Sequence, residues 1–384
     1  MNPFFDWISI LLLVGAGHGL LLALTLLNLR RGNRVANRVM AAILLVFATN
    51  MTLHTLAYTK HIVYFPHFFK IEPPLMFLFA PLFYFYVRVM TGNESKLTRH
   101  ELLHFVPFVL GIVLLTPHYL QPAEEKIQHF LADHERLCWQ CLFIYWMTII
   151  QLLGYILAIA RLLKRHRERI KLSYSSLEKI NLSWLRNLLA LVVLIWLVAV
   201  ILQIIDPTIA SFNYMWLIIS VSIYLVGYIG LGQPEIFYGV ATTPTDSRNP
   251  LKKYEKSTLT PDKAATSLQK LNDFMEKERP YLRSDLTLPL LARELTISVH
   301  HLSQIINEKL GQNFFEFINC QRVEEAKRRI AEPGSQNLNL AGIGLEVGFN
   351  SISSFNAAFK RHAGMTPSQF RDKYQPPSPP FASL

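Results

Sequence analysis

The chain has 384 residues, 51% apolar and only 17% charged, with a formal net charge of +11 and a mean hydropathy of +0.25. Soluble globular chains carry about a quarter charged residues, so these totals exclude a single ordinary soluble domain. Three cysteines and the absence of a glycine period exclude a disulfide scaffold and a collagen-like repeat. The average conceals a split. Residues 1–240 hold 31 charged side chains, whereas the 144 residues 241–384 hold 34. The first part has membrane composition and the second has globular composition.

A bilayer core needs about 20 apolar residues in a helix. The hydropathy predicts seven spans, near 6–29, 38–58, 71–90, 102–120, 138–161, 184–205 and 214–231. The first is too long for the apolar core of a cleavable signal and lacks a basic start. The fourth is shortened by Pro107, Pro117 and His118. With seven spans, the loops 30–38, 88–99 and 161–186 carry 15 Lys and Arg, and the opposite loops carry 4. That asymmetry predicts an outside N-terminus and a cytosolic C-terminal part. Trp7, Trp139, Trp184 and Trp216 fall near span ends, where interfacial aromatics sit. The aromatic run 77–86 is expected to face lipid and packing neighbours.

Polar groups in hydrocarbon are costly unless paired and are functional candidates by default. His18, Asn50, His54 and Glu72 are such groups, and Asn50 and His54 share a helix face. His54 and Glu72 are the candidate pair for an outer sensing pocket, with interhelical hydrogen bonding as the simpler role. His100-Glu101-Leu102-Leu103-His104 has the H-E-x-x-H spacing of zinc proteases. Thr98 and Glu101 also form a T-x-x-E capping box, which explains the glutamate without a metal. Cys138 and Cys141 open the fifth span and read as two thiols, with a local disulfide as the alternative. Cys320 reads as a small apolar packing residue.

Residues 241–261 read as a linker, with Lys252, Lys253 and Lys256 placed to touch anionic lipid. Pro261 opens a helix to about 278, whose apolar face is Ala264, Leu268, Leu271 and Met275. Beyond it lies a weak internal repeat. At an offset of 52, Leu288, Leu291, Ala292, Leu295 and Ser298 meet Leu340, Ile343, Gly344, Val347 and Asn350. Further on the offset becomes 53, so one residue is inserted in the second unit's turn. Each unit predicts a short helix, a tight turn and a longer helix: 288–296 with 299–310, and 339–347 with 351–363. This is helix-turn-helix geometry. Ala292 and Gly344 stand where the paired helices cross closely, Ser298 and Asn350 are expected N-caps, and Gly348 suits the turn. A helix over 314–331, roughly 26 Å long, joins the units, so two recognition helices can enter successive major grooves.

Face logic leaves His300, His301, Ser303, Gln304 and Asn307 for DNA on the first recognition helix, with Val299 pointing inward. On the second, Ser351, Ser353, Asn356 and Lys360 remain outside. Arg322, Lys327, Arg361 and Arg371 are expected to neutralise phosphates. The charge of 241–384, 19 basic against 15 acidic residues, is modest.

Residues 262–373 resemble the DNA-binding domain of AraC/XylS-type transcription regulators. The resemblance rests on Gly348-Phe349, Phe355, Phe359-Lys360 and the run Gly364-Met365-Thr366-Pro367-Ser368-Gln369-Phe370-Arg371. Leu291-Ala292, Leu302-Ser303, Gly311 and Arg322-Val323-Glu324-Glu325-Ala326-Lys327 agree as well. It implies an all-helical domain with two helix-turn-helix units that controls transcription. An arginine common in the family's second recognition helix is Ala357 here, and Gly342 and Gly344 stand in that unit's first helix, each costing up to about 1 kcal/mol relative to Ala.

The expected architecture is all-α. A seven-helix transmembrane bundle that senses a signal covers 1–231, a linker 232–261, the DNA-binding domain 262–373 and a Pro-rich tail 374–384. The expected protein is a multi-pass regulator of the bacterial inner membrane. Its mechanism is a shift in helix packing or dimerisation passed through 232–280. Its expected partners are double-stranded promoter DNA, the lipid bilayer, RNA polymerase, a second copy of the chain and an unidentified small-molecule or envelope signal. No catalytic residue, cofactor or metal is expected. The alternatives are a zinc-dependent membrane enzyme using His100 and His104, and a transporter or receptor with a protein-binding cytosolic domain.

Overall fold

The computed structural model describes residues 4–29, 33–92, 99–131, 139–178, 180, 182–205, 218, 260–332 and 339–374. Among them the regular elements are helices, apart from one antiparallel bridge between Tyr174 and Thr287. The chain divides into two compact units. The first is Met1–Lys164 with Leu182–Pro244, and the second is Arg165–Asn181 with Thr245–Leu384.

The first unit contains α1 (Trp7–Asn28), α2 (Arg34–Tyr58), α3 (Glu72–Met90), α4 (Val106–Tyr119), α5 (Ala123–Leu131), most of α6 (Trp139–Ile170) and α7 (Ser183–Ile205). Asp6 and Ser9 form a reciprocal capping box at the start of α1. Tyr58 Oη, at the end of α2, donates to Asp6 Oδ2 at 2.7 Å, tying the two helix ends together. The inward face of α1 carries Gly15, Ala16, Gly19 and Ala23, and a Cβ on Gly19 would sit 3.8 Å from Ala48 Cβ. Small residues at this spacing let two helix backbones approach closely. The opposite side exposes Leu11, Val14, Leu21 and Leu24, and α6 exposes Phe143, Trp146, Ile150 and Leu153.

Five stretches of the described residues are long and apolar enough to cross a membrane: Trp7–Asn28, Arg34–Tyr58, Glu72–Met90, His100–Tyr119 and Trp139–Ile170. The helix expected over 138–161 continues to Ile170, because charged residues with good helix propensity follow the apolar run. The stretch 214–231 lies outside the described residues, save Ile218. Within the aromatic run, Phe77, Phe85 and Tyr86 are buried, Phe77 and Tyr86 in core clusters of the unit. Cys141 is disulfide-bonded, which corrects its reading as a thiol; Cys138 lies outside the described residues. Cys320 is a free, half-buried thiol.

The second unit contains α8 (Pro261–Glu278), α9 (Leu288–Glu294), α10 (Val299–Lys309), α11 (Phe314–Ala331), α12 (Leu340–Glu346), α13 (Ile352–Ala363) and α14 (Pro367–Tyr374). Each of α9 to α13 starts at an N-cap side chain, in order Thr287, Ser298, Asn313, Asn339 and Ser351. The expected cap Asn350 is therefore one residue early. The hydroxyl of Ser351 accepts from Ser354 N at 3.2 Å instead. The central helix α11 serves two cores. Phe314, Phe317 and Ile318 pack with α8, α9 and α10, while Val323, Ala326 and Ile330 pack with α12 and α13.

The two helix pairs turn differently. Thr296 (φ 55°) and Gly348 (φ 99°) hold the equivalent left-handed position. The Thr296 turn is held by Lys270 Nζ, which donates to Leu295 O at 2.6 Å and Thr296 Oγ1 at 2.8 Å. Gly348 has no room for a side chain, since a Cβ would lie 2.6 Å from Tyr281 O and 2.9 Å from Arg322 Nε.

The two glycines of α12 also differ. A Cβ on Gly344 would lie 2.7 Å from the Phe355 ring, whereas on Gly342 its nearest neighbour is 3.8 Å away. Gly344→Ala is therefore expected to destabilise the second unit by about 1–3 kcal/mol through overpacking. Gly342→Ala is expected to stabilise it by up to about 1 kcal/mol through helix propensity. Native-state hydrogen exchange of α11 and α13 in the full chain measures both. Equal effects of the two substitutions would contradict the packing account.

Candidate nucleic-acid interface

The candidate interface is built on α10 and α13, the second helices of the two pairs. On α13 the buried face is Phe355 and Phe359, four residues apart and packed edge to face with ring centroids 5.6 Å apart. Phe349 and Phe370 extend that stack at 5.5 Å on either side. Anchoring one face this firmly leaves Ser353, Asn356 and Lys360 exposed on the other. Those three were expected outside. Ser351 is half-buried, and its hydroxyl is already engaged at the helix start.

The α10 side is less open than expected. His300 is exposed and His301 half-buried, but Ser303 and Gln304 are buried. Gln304 Nε2 donates to Glu308 Oε2 at 3.0 Å, and Asn307 Nδ2 donates to Ser303 O at 2.7 Å. Local i to i+4 hydrogen bonding along the helix competes with outward presentation of these amides. Val299, expected inward, is exposed; as the first residue of the helix it precedes the buried register of Leu302, Ile305 and Ile306.

The basic residues separate into different roles. Arg322 is not placed for a phosphate: only 1% of it is exposed. Its Nε donates to Tyr281 O at 2.7 Å, and Nη2 donates to Arg283 O at 2.8 Å and Ser175 Oγ at 3.2 Å. Nη1 donates to Ser175 O at 3.3 Å, and the guanidinium lies over the Phe349 ring. Burial pushes its pKa down to about 10, so it remains a cation at neutral pH. A buried arginine that satisfies its donors on fixed carbonyls is a structural clamp. Lys327 pairs with Glu324 at 2.7 Å and Arg361 with Glu316 at 2.8 Å. Arg371 is half-buried on α14.

A second charged cluster stabilises α11. Glu325, 5% exposed at its side chain, accepts from Arg328 at 2.8 Å and Arg329 at 2.9 Å. These hydrogen bonds lower its pKa to about 2.

One element was missed from the sequence. Residues 171–178 lie against this domain. Ser173 O accepts from Leu288 N at 2.9 Å, and Ser175 N donates to Leu286 O at 3.3 Å. Asn350 Nδ2 donates to Ser176 Oγ at 2.7 Å, and Ser351 Oγ donates to the Glu178 carboxylate. A Ser-Tyr-Ser-Ser run with neither helical nor apolar period offered no signal beyond an extended, polar loop.

In the first unit His54 and Glu72 do come together, with Nδ1 and Oε1 3.7 Å apart. Asn50 is buried and donates to Val46 O at 2.9 Å. His100, Glu101 and His104 lie in a 3-10 turn over Arg99–Phe105, not on an α-helix. Glu101 pairs with Arg88, and His104 hydrogen-bonds the Tyr155 hydroxyl. Thr98 lies outside the described residues. No group of three or more His, Cys, Asp or Glu among the described residues is placed to hold a metal ion.

Residues 291–373 form a helix-turn-helix domain of the AraC type: they match the family model described as a helix-turn-helix domain. Over 102 residues, 27% of this chain, the sequence is 32% identical to an uncharacterized HTH-type transcriptional regulator of Staphylococcus aureus strain COL. Over 99 residues, 25% of this chain, it is 29% identical to the uncharacterized HTH-type transcriptional regulator YfiF of Bacillus subtilis. The chain spans 13% of the first relative's length and 30% of the second's. Among solved structures, the C-terminal domain of AraT, a response regulator from Geobacillus stearothermophilus, is 29% identical. It aligns with 30% of this chain and 88% of that one, at a TM-score of 0.25.

The lowered Glu325 pKa has a definite consequence. A carboxylate depressed in the folded state contributes stability that is present above its unfolded value of 4.5 and lost as pH falls towards about 2. Glu325→Gln should lower the stability of the second unit at pH 7, on the order of 1 kcal/mol after solvent screening of the exposed Arg328. It should also flatten the acid dependence between pH 4.5 and 2. Stability profiles of wild type and variant that stay parallel over this range would contradict the assignment.

Proposed function

We propose that this chain is a membrane-anchored, sequence-specific DNA-binding transcription regulator. The observation that carries the reading is the polar, exposed face of α13, Ser353, Asn356 and Lys360, on a helix locked by the Phe355–Phe359 core. Asparagine can pair with adenine edges in the major groove, and lysine neutralises a phosphate. The helix pairs α9–α10 and α12–α13 act as two helix-turn-helix units on one duplex face. His300, His301 and Asn307 of α10 join the contact surface of the α9–α10 pair.

The membrane assignment is supported by the outer surface of the first unit. On α1 and α6 large apolar side chains face outward, an arrangement suited to lipid and costly in water. The 15-to-4 asymmetry in Lys and Arg supports an outside N-terminus and a cytosolic C-terminal domain in the inner membrane. The Cys141 disulfide fits that sidedness, since its helix end then meets an oxidising compartment. The His54–Glu72 pair belongs to the outer, signal-receiving side. Promoter DNA, RNA polymerase and a second copy of the chain are the proposed partners.

DNA binding by the full chain in lipid nanodiscs tests the reading, using duplexes selected from a random-sequence pool. Affinity is expected to fall steeply with salt. Lys360→Ala should reduce the log-log salt slope by about 1 and weaken all sequences alike. Asn356→Ala should cost about 1–3 kcal/mol and relax preference at one base pair. Binding that is indifferent to salt and sequence would overturn the proposal.

A further inference from the structure

We infer that the segment 171–178 is an autoinhibitory latch on the DNA-binding domain, with Glu178 covering the start of the recognition helix α13. The inference rests on the DNA-binding reading above and adds how that binding is controlled.

The segment is docked in two ways. Its first half leaves α6 as a turn and pairs with backbone of the domain through one antiparallel bridge, Tyr174 to Thr287, and the hydrogen bonds around it. Phe315 N donates to Lys171 O at 3.0 Å and Leu288 N to Ser173 O at 2.9 Å, and Ser175 N donates to Leu286 O. Ser175 Oγ, itself buried, donates to Leu286 O at 2.6 Å and accepts from Arg322. These bonds fix residues 173–175 against the turn before α9 and against α11.

The second half reaches the other helix pair. Ser176 Oγ takes the amide of Asn350, and Glu178 takes the hydroxyl of Ser351, the N-cap of α13. A recognition helix enters the major groove by its N-terminal residues, and the duplex carries closely spaced negative phosphates. Glu178 places a carboxylate at that end, where DNA would bring charge of the same sign. The positive end of the helix dipole and the Ser351 hydroxyl favour one anion or the other. The docked segment and bound DNA therefore compete for the same helix end.

The same segment is joined in sequence to two apolar helices. Residues 171–178 follow α6 directly and precede α7. A change in the spacing of those helices is thereby felt at Glu178 through covalent connection, independently of residues 232–259. A signal that binds the undocked form better than the docked form shifts the population towards DNA binding, and by linkage DNA favours the undocked form.

The test uses the full chain in lipid nanodiscs and a fluorescent duplex selected from a random-sequence pool, read by anisotropy at fixed salt. Glu178→Gln removes the carboxylate, and Ser176→Ala removes the Asn350 contact without altering charge or α13. Glu168→Gln removes the same charge from an exposed residue of the preceding helix that pairs only locally with Lys171. Glu178→Gln and Ser176→Ala are each expected to tighten binding, on the order of tenfold for Glu178→Gln, with hydrogen-exchange protection of α11 preserved. Glu168→Gln is expected to bind as wild type does. An equal shift in Glu178→Gln and Glu168→Gln would reduce the effect to general charge and overturn the latch. Unchanged or weaker binding in both Glu178→Gln and Ser176→Ala would overturn it as well. Absence of salt-dependent binding in wild type and every variant would instead remove the DNA-binding reading, and the latch with it.

Discussion

The second unit is organised around one buried cation. Arg322 reaches the carbonyls of Tyr281, Arg283 and Ser175 and lies over Phe349. A buried charge is costly unless its donors are satisfied, so the Tyr281 and Arg283 carbonyls must be held in place. That demand propagates. The Tyr281 carbonyl and Arg322 Nε leave no space for a side chain at residue 348, which makes glycine obligatory there. The left-handed turn at Gly348 then delivers Phe349 to the guanidinium, and α13 begins at Ile352 behind its N-cap Ser351. The Phe349, Phe355, Phe359 and Phe370 stack sets which face of α13 is left for solvent. The helix face proposed to read DNA is thus fixed by an arginine that itself cannot reach DNA.

The first unit differs in what it leaves outward. α1 meets α2 through small residues such as Gly19, large apolar side chains such as Leu12, Phe47 and Met51 fill the core, and further leucine, phenylalanine and tryptophan face outward. In water such a surface drives association, whereas in hydrocarbon it costs nothing and close van der Waals packing supplies the stability. Polar groups packed among apolar helices need partners. Tyr58 finds Asp6, His54 meets Glu72, and Glu101 pairs with Arg88. Glu101 of the H-E-x-x-H run is engaged by Arg88, and a 3-10 turn takes its two histidines off a common helical face.

Much of the second unit was legible because its helices combine apolar periodicity with capping residues. Pro261 marks the start of α8, and the helix expected over 314–331 coincides with α11, which the structure caps at Asn313. The exposed trio on α13 followed from the same periodicity. What failed involved tertiary contacts. Arg322 looked like any surface arginine on a charged helix, because no local signal announces a clamp formed by residues some 40 and 147 positions away. Gln304 and Ser303 were assigned outward by helical angle alone, and burial reversed that. Asn350 was chosen as a cap by the offset of the repeat, although the inserted residue moved the cap to Ser351. The docked segment 171–178 is held mainly through backbone atoms and serines, which leave no hydrophobic pattern.

The central claim is that this chain reads DNA while its apolar helices hold it in the membrane. Genome-wide mapping of DNA crosslinked to the intact protein in native membranes tests it most directly, alongside a variant with Ser353, Asn356 and Lys360 all replaced by alanine. The account predicts a discrete set of promoter sites recovered from the membrane fraction and lost in the triple variant. Recovery of no DNA, or of the same sites from both proteins, would contradict it.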